Sequence, residues 1–158
     1  MSSVPSGLYR RTCGKFATGI TVITTLDENR HPHGMTVNSF ASLSLEPPLI
    51  IVAIDFRNAI LGHFTTNPWF AVNILAADQK AISERFSTAA EKRFEGVDWT
   101  PSPNGVPLLD GAIGFLECAR ERTIETGDHI ALIGEVRSAR TEEGAPLIYF
   151  DSNYSRLT

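Results

Sequence analysis

HGMTVNSFASLSLEPPLI, residues 33–50, is the stretch on which the fold turns. Thr36, Asn38, Ser39, Ser42 and Ser44 come without a charge until Glu46, and Pro47-Pro48 then leads into an apolar run. That run, LIIVAI at residues 49–54, is short and wholly hydrophobic, as expected of a buried strand. Upstream, GITVITTL at residues 19–26 is rich in β-branched side chains and reads as another strand. The polar DENRHP between them makes a turn, so the His33 segment comes back as a hairpin partner. The small hydroxyl and amide groups also offer many short donors and acceptors at little steric cost. Such a surface suits close approach of backbone to a flat polar ligand.

The same rhythm continues outward. Residues 58–66 place Ile60, Leu61 and Phe64 on one helical side. WFAVNIL at 69–75 is a strand opened by Pro68, which has no N–H to give a ladder. Asp78 is the expected N-cap of a helix reaching Ser87, with Ala81, Ile82 and Phe86 inward. Residues 91–107 hold Pro, Gly and polar groups and read as a surface loop. Two long strands, 112–124 and 129–140, flank ETGD, and LIYF at 147–150 closes the set. Near the start, residues 6–16 carry Leu8, Cys13 and Phe16 at roughly helical spacing, predicting a short amphipathic helix. A parallel α/β fold needs crossover connections of about a dozen residues, usually helical, and these are missing. The expected architecture is therefore mainly β with peripheral helices: an antiparallel barrel, closed or partly split, in one domain over residues 1–158.

The chain has 158 residues and a net charge of −4, with no basic run to offset it, which argues against nucleic acid as a partner. No segment is long and apolar enough for a membrane span, and the first residues lack the apolar stretch of a secretory signal. Cys13 and Cys118 belong to no CxxC pair and read as reduced, mostly buried thiols of a cytoplasmic protein. No GxGxxG follows a strand, and P-loop and GxSxG motifs are absent. His31 and His33 fall in a turn without evident further ligands, so no metal site is expected. Neither cysteine has a base beside it in sequence, which leaves no catalytic thiol. A nucleotide cofactor, if one is used, must sit outside the usual α/β frameworks.

Four further segments join the opening one: FATGITVITT at residues 16–25, ISERF at 82–86, ETGDHIALIGEV at 125–136 and LIYFDSNYSRL at 147–157. In this order they resemble the short-chain flavin reductases of two-component monooxygenase systems, members of the FMN-binding split-barrel superfamily. The resemblance runs from about Phe16 to Leu157. It implies a Greek-key split β-barrel that forms a homodimer and binds FMN or FAD near the subunit interface. It also implies hydride transfer from NADH or NADPH to the flavin, and delivery of reduced flavin to a separate monooxygenase. The flavin carries such chemistry, so the protein has to position two rings and needs no acid–base residue.

Carried over by position, the resemblance puts Thr36, Val37, Asn38 and Ser39 along the isoalloxazine and ribityl chain. Ser42 and Ser44 reach towards the ribityl phosphate, and Asp55, Phe56 and Asn58 form the next wall. Arg85 is the implied phosphate partner, since a guanidinium grips two oxygens at once, with Phe86 packed beside it. His129, in Gly127-Asp128-His129, helps to place the nicotinamide, and Tyr154 is a second candidate for that pocket. Many relatives carry Ser-x-Thr where this chain has Asn58-Ala59-Ile60, which leaves FMN or FAD open. The C-terminal Asp151-Ser152-Asn153 lacks a cation for the extra phosphate of NADPH and tilts the expectation to NADH. Two other readings stand beside this one: a flavin-binding carrier or sensor without reductase activity, and a barrel for another ligand such as haem. The second lacks an axial-ligand context.

Overall fold

The computed structural model describes residues 4–88 and 91–157. In chain order the elements are α1 (Ser6–Cys13), β1 (Thr18–Gly19), β2 (Thr21–Leu26), β3 (Pro32–Val37), β4 (Ala41–Leu45) and β5 (Pro48–Asp55). Then come α2 (Leu61–Thr66), β6 (Trp69–Ile74), α3 (Lys80–Ser87), β7 (Trp99–Pro101) and β8 (Pro107–Leu109). The chain ends with β9 (Gly114–Thr126), β10 (His129–Thr141), β11 (Ile148–Phe150) and β12 (Asn153–Ser155).

Seven strands form one antiparallel sheet in the order β3-β2-β6-β9-β10-β5-β4. Its two edge strands, β3 and β4, follow each other in the chain, so Asn38, Ser39 and Phe40 join one edge to the other. The seam of the split barrel is therefore the polar stretch itself. Ser39 stitches it: its hydroxyl donates to the Ala53 carbonyl and accepts from the Ala53 N–H, both at 2.9 Å. A second sheet, β1-β11-β12, lies beside the barrel.

β2 is buried along its whole length although it contains threonines, because each hydroxyl meets a carbonyl. Thr21 donates to Val37 at 3.0 Å, Thr24 to Pro107 at 2.6 Å and Thr25 to Trp69 at 2.8 Å. The two faces of β2 feed two cores. Ile23 joins Val52, Ile54, Phe64, Phe70 and Leu132 inside the barrel. Val22 joins Ile20, Leu75, Phe86, Leu109 and Leu147 beneath α3 and the small sheet. Gly134 is needed in the first core, since a Cβ there would lie 2.5 Å from Phe70 Cζ.

Several local expectations change. α3 begins at Lys80, not at Asp78, and has no side-chain cap. Gln79 ties its start down instead, accepting from the Ala76 N–H at 3.0 Å and donating to the Asp110 carbonyl at 2.9 Å. Within and just beyond the expected 91–107 loop, β7 pairs with β8. The first long strand lies two residues further towards the C-terminus than expected, the second starts at His129 as expected and runs one residue longer, and β12 adds a strand at Asn153–Ser155. α1 forms, but none of its residues is buried, and Cys13 is exposed. Its apolar Leu8 and Tyr9 stay about half or more exposed among the described residues. Cys118 is buried, and desolvation together with the Glu117 charge pushes its thiol up to about 12. No helix of the described residues is long and apolar enough to cross a membrane.

Candidate functional site

Two hollows flank β3. The smaller, about 310 Å³, is walled by Thr36, Val37 and Asn38 on one side and by Ser83, Tyr149 and Tyr154 on the other. Thr36 donates its hydroxyl to the Ser83 carbonyl at 2.6 Å. The Ser83 and Tyr154 hydroxyls lie 2.9 Å apart. Lys80 Nζ stands 5.4 Å from the centre of the Tyr154 ring, and Tyr149 meets that ring edge-on at 5.6 Å. Asn38 is exposed at the seam, and its carboxamide makes no hydrogen bond to the described residues. This wall therefore keeps a donor and an acceptor free for a ligand.

The larger hollow is a groove of about 670 Å³ at the other end of β3, bordered by His33, Gly34, Asn58, Ile60 and Arg93. Ser87 lines both hollows, so the groove and the cavity adjoin. Arg93 is the notable cation here. It donates to the Gly34 carbonyl at 2.6 Å and to the Thr88 carbonyl, while its buried Nε has no partner among the described residues. Burial alone lowers its affinity for the proton, and the described contacts give it no carboxylate. By contrast, the groove's Lys92 is paired with Glu95 at 3.0 Å.

One groove wall is a histidine–carboxylate network. Asp27 is partly buried, which would raise its pKa. The His31 N–H, the His33 ring and the Asn29 N–H outweigh that effect and hold the carboxyl at about 2. His33 stacks on His63 with ring centres 4.0 Å apart, and His63 is lowered by burial and by the His33 charge. Among the described residues no group of three or more His, Cys, Asp or Glu is arranged to hold a metal ion.

A charged corner lies where β5 ends beside the β9–β10 turn. Arg57 forks onto Asp55, with Nη2 2.7 Å and Nε 3.1 Å from its oxygens, and holds that carboxyl well below the usual range. The turn needs Gly127, whose φ is +58°. His129 pairs in register with Asp55, and its Nδ1 lies 2.7 Å from Asp128 Oδ1. The Phe56 N–H donates to the Asp128 carbonyl at 3.0 Å, which joins the two tips.

The residues singled out from sequence are thus brought together in part. Thr36, Val37, Asn38 and Tyr154 share the cavity, and Asn58 lies in the adjoining groove. Ser39 is engaged with β5 at the seam. Ser42 is exposed and Ser44 half-buried on the edge strand β4, opposite Ile50 and Leu49. Asp55, Phe56 and His129 gather at the charged corner and border neither hollow. Arg85 borders neither hollow, its Nη1 donating at 2.5 Å to the carbonyl of Glu95, a residue of the groove's rim. Phe86 is fully buried beneath Gly34 and edge-on to Phe94. Two residues were not singled out: Ser83, within the quoted ISERF, and Arg93, in a second Arg-Phe pair eight positions after the first.

Comparison with known proteins identifies the family. The profile of the family described as Flavin reductase like domain matches residues 13–158. The flavin-dependent monooxygenase reductase subunit HsaB of Rhodococcus jostii is 36% identical over 150 residues, covering 94% of this chain and 76% of that protein. The FMN reductase (NADH) SmoA of Agrobacterium fabrum is 37% identical over 150 residues, covering 95% of this chain and 85% of that protein. The structure of the Streptomyces globisporus NADH:FAD oxidoreductase SgcE6, in complex with NAD and FAD fragments, superposes with a TM-score of 0.92. It is 34% identical and covers 100% of this chain and 98% of that one.

Proposed function

The chain belongs to the flavin-reductase-like family, and from that premise we propose that it is an NADH-dependent flavin reductase whose reduced flavin serves a partner monooxygenase. The observation that carries the reading is the pair of adjoining hollows along β3, one polar and aromatic, the other holding a cation without a carboxylate. When bound, flavin supplies the redox chemistry by accepting a hydride from the reduced nicotinamide. The residues fit such a group. Main chain and side chains at Thr36, Val37 and Asn38 line the ring end, where the free Asn38 carboxamide meets polar ring edges. Arg93 and Asn58 hold the phosphate-bearing end, an anion relieving the uncompensated guanidinium. Ser42, Ser44 and Arg85 are turned to the surface in the protomer and have a smaller share in this arrangement.

We further read the enzyme as a cytoplasmic single-domain protein acting as a homodimer. α1 has no buried residue yet carries Leu8 and Tyr9, and β4 exposes Leu43 and Leu45. A second copy that covers them also explains how His129, remote from the cavity in one protomer, serves a flavin site. SmoA and SgcE6 are both named as using NADH. That agrees with the lack of a basic residue within Asp151-Ser152-Asn153, where the nearby Lys15 is already paired with Asp151 at 2.8 Å.

The direct test follows NADH oxidation at its absorbance band with and without FMN or FAD, alongside the mass by sedimentation equilibrium. Flavin-dependent turnover by a dimer is expected. No flavin-dependent turnover with NADH or NADPH rejects the function, and a monomer rejects the assembly. His129→Ala should raise the KM for NADH about tenfold, the value of roughly one hydrogen bond to a charged or polar partner. Flavin affinity should stay within about twofold. Unchanged kinetics remove His129 from the site.

A further inference from the structure

Ser83 has no exposed surface, yet it touches both walls of the smaller cavity. Its carbonyl accepts from Thr36 on β3, and its hydroxyl meets the Tyr154 hydroxyl on β12. β12 is the free edge of the β1-β11-β12 sheet. The far side of that hairpin is well anchored: β1 pairs with β11, the Asp151 N–H donates to the Gly14 carbonyl at 2.9 Å, and Lys15 reaches Asp151 at 2.8 Å. The near side has no main-chain ladder to α3. Among the described residues, the Ser83–Tyr154 pair is the hydrogen bond that fixes β12 across the cavity.

From this arrangement we infer that Ser83 is a positioning residue, which sets Tyr154 for the reduced nicotinamide and leaves flavin binding to β3 and the groove. The inference rests on the flavin-reductase reading and assigns one wall of that site to the reductant. The physical basis is directional. Either hydroxyl can be the donor, but only one proton lies between the two oxygens. The pair therefore leaves the phenol with hydrogen-bonding capacity that a polar ligand in the cavity can use. Without Ser83, Tyr154 loses the contact that orients its hydroxyl. Its ring stays packed against Tyr149, so the wall persists while its polar end loses direction. Binding of a ligand that needs that hydroxyl should fall, while the chemical step, carried by the flavin, should not.

The test compares Ser83→Ala, Tyr154→Phe and the double variant in steady-state NADH oxidation at saturating flavin, with flavin affinity measured separately. Each single change should raise the KM for NADH about fivefold to tenfold, with kcat and flavin Kd within about twofold. The double variant should match the singles, because both remove one bond. A turnover-free readout accompanies this: the ¹³C shift of Tyr154 Cζ should move in Ser83→Ala. Wild-type KM in Ser83→Ala, additive losses in the double variant, an unmoved Cζ signal, or a loss confined to flavin affinity would each overturn the inference. Absence of turnover in the wild type refutes the reductase reading, and the inference falls with it. That outcome is distinct from a failure confined to the variants.

Discussion

Asn73 offers a sharp test of how the fold beneath the site is held. It is fully buried on β6. Its Nδ2 donates to the Val22 carbonyl at 3.0 Å and lies 3.3 Å from Thr24 Oγ1, while its Oδ1 accepts from the Leu109 N–H at 2.8 Å. Asn73→Asp keeps the shape and the Leu109 bond but sets a carboxyl oxygen against the Val22 carbonyl. The Thr24 hydroxyl cannot help, since it donates to Pro107 at 2.6 Å. When protonated, the new carboxyl donates to Val22 and nearly restores the network. When ionised, it is a buried charge facing an acceptor, so its folded pKa must lie above the unfolded value of about 3.9. Stability is then retained below that unfolded value and lost as pH rises through the folded pKa. A rise of two to three pKa steps corresponds to about 3–4 kcal/mol at pH 8. With a urea slope of about 2 kcal/mol per molar, the midpoint should fall by roughly 1.5–2 M at pH 8 and by less than about 0.5 M at pH 4. Asn73→Leu, which removes all three contacts and adds no titrating group, should show a deficit with no such slope. Urea unfolding of wild type and both variants across pH 4–8 gives the answer. A gap for Asn73→Asp that does not change with pH would refute the reasoning.

Two other outcomes follow from the titrating groups. Asp27, held at about 2 by its donors, contributes stability above its ordinary value of 3.8 that is lost as pH falls towards 2. Asp27→Asn should therefore flatten the acid limb of the wild-type stability curve between about pH 4 and pH 2, and an unchanged limb would rule the network out as its source. The two thiols should separate under a disulfide reagent at pH 8: Cys118, pushed up to about 12, reacts only on unfolding, so the native protein yields at most one equivalent, that of Cys13. Two native equivalents would contradict the burial of Cys118.

The barrel was legible because its strands carry their own signal. The β-branched run at 19–26 and the apolar run at 49–54 both became strands, and the missing crossover helices excluded a parallel sheet. Features that depend on a distant partner were not legible. Threonines 21, 24 and 25 lie on both faces of β2 and read as solvent-facing positions, and only the carbonyls of Val37, Pro107 and Trp69 allow all three to be buried. α1 shows the opposite failure, since helical spacing foretells the helix but none of its residues is buried among the described residues.

The two Arg-Phe pairs show why the site itself was only half readable. Arg85-Phe86 and Arg93-Phe94 are the same dipeptide, and the family resemblance makes the first, on a predicted helix, the phosphate partner. In the folded chain the two phenylalanines pack edge to face with ring centres 5.0 Å apart. Phe86 points into the core beneath Gly34, so its helical neighbour Arg85 must point elsewhere, out to the Glu95 carbonyl. Phe94 docks on Phe86 from the following loop, which brings Arg93 over β3 to the Gly34 carbonyl. Which arginine faces the groove is thus decided by a ring–ring contact between α3 and a loop without regular periodicity. No local pattern in either dipeptide encodes that choice. What the sequence does hold is the pair of aromatics, and the burial of one of them determines the direction of both cations.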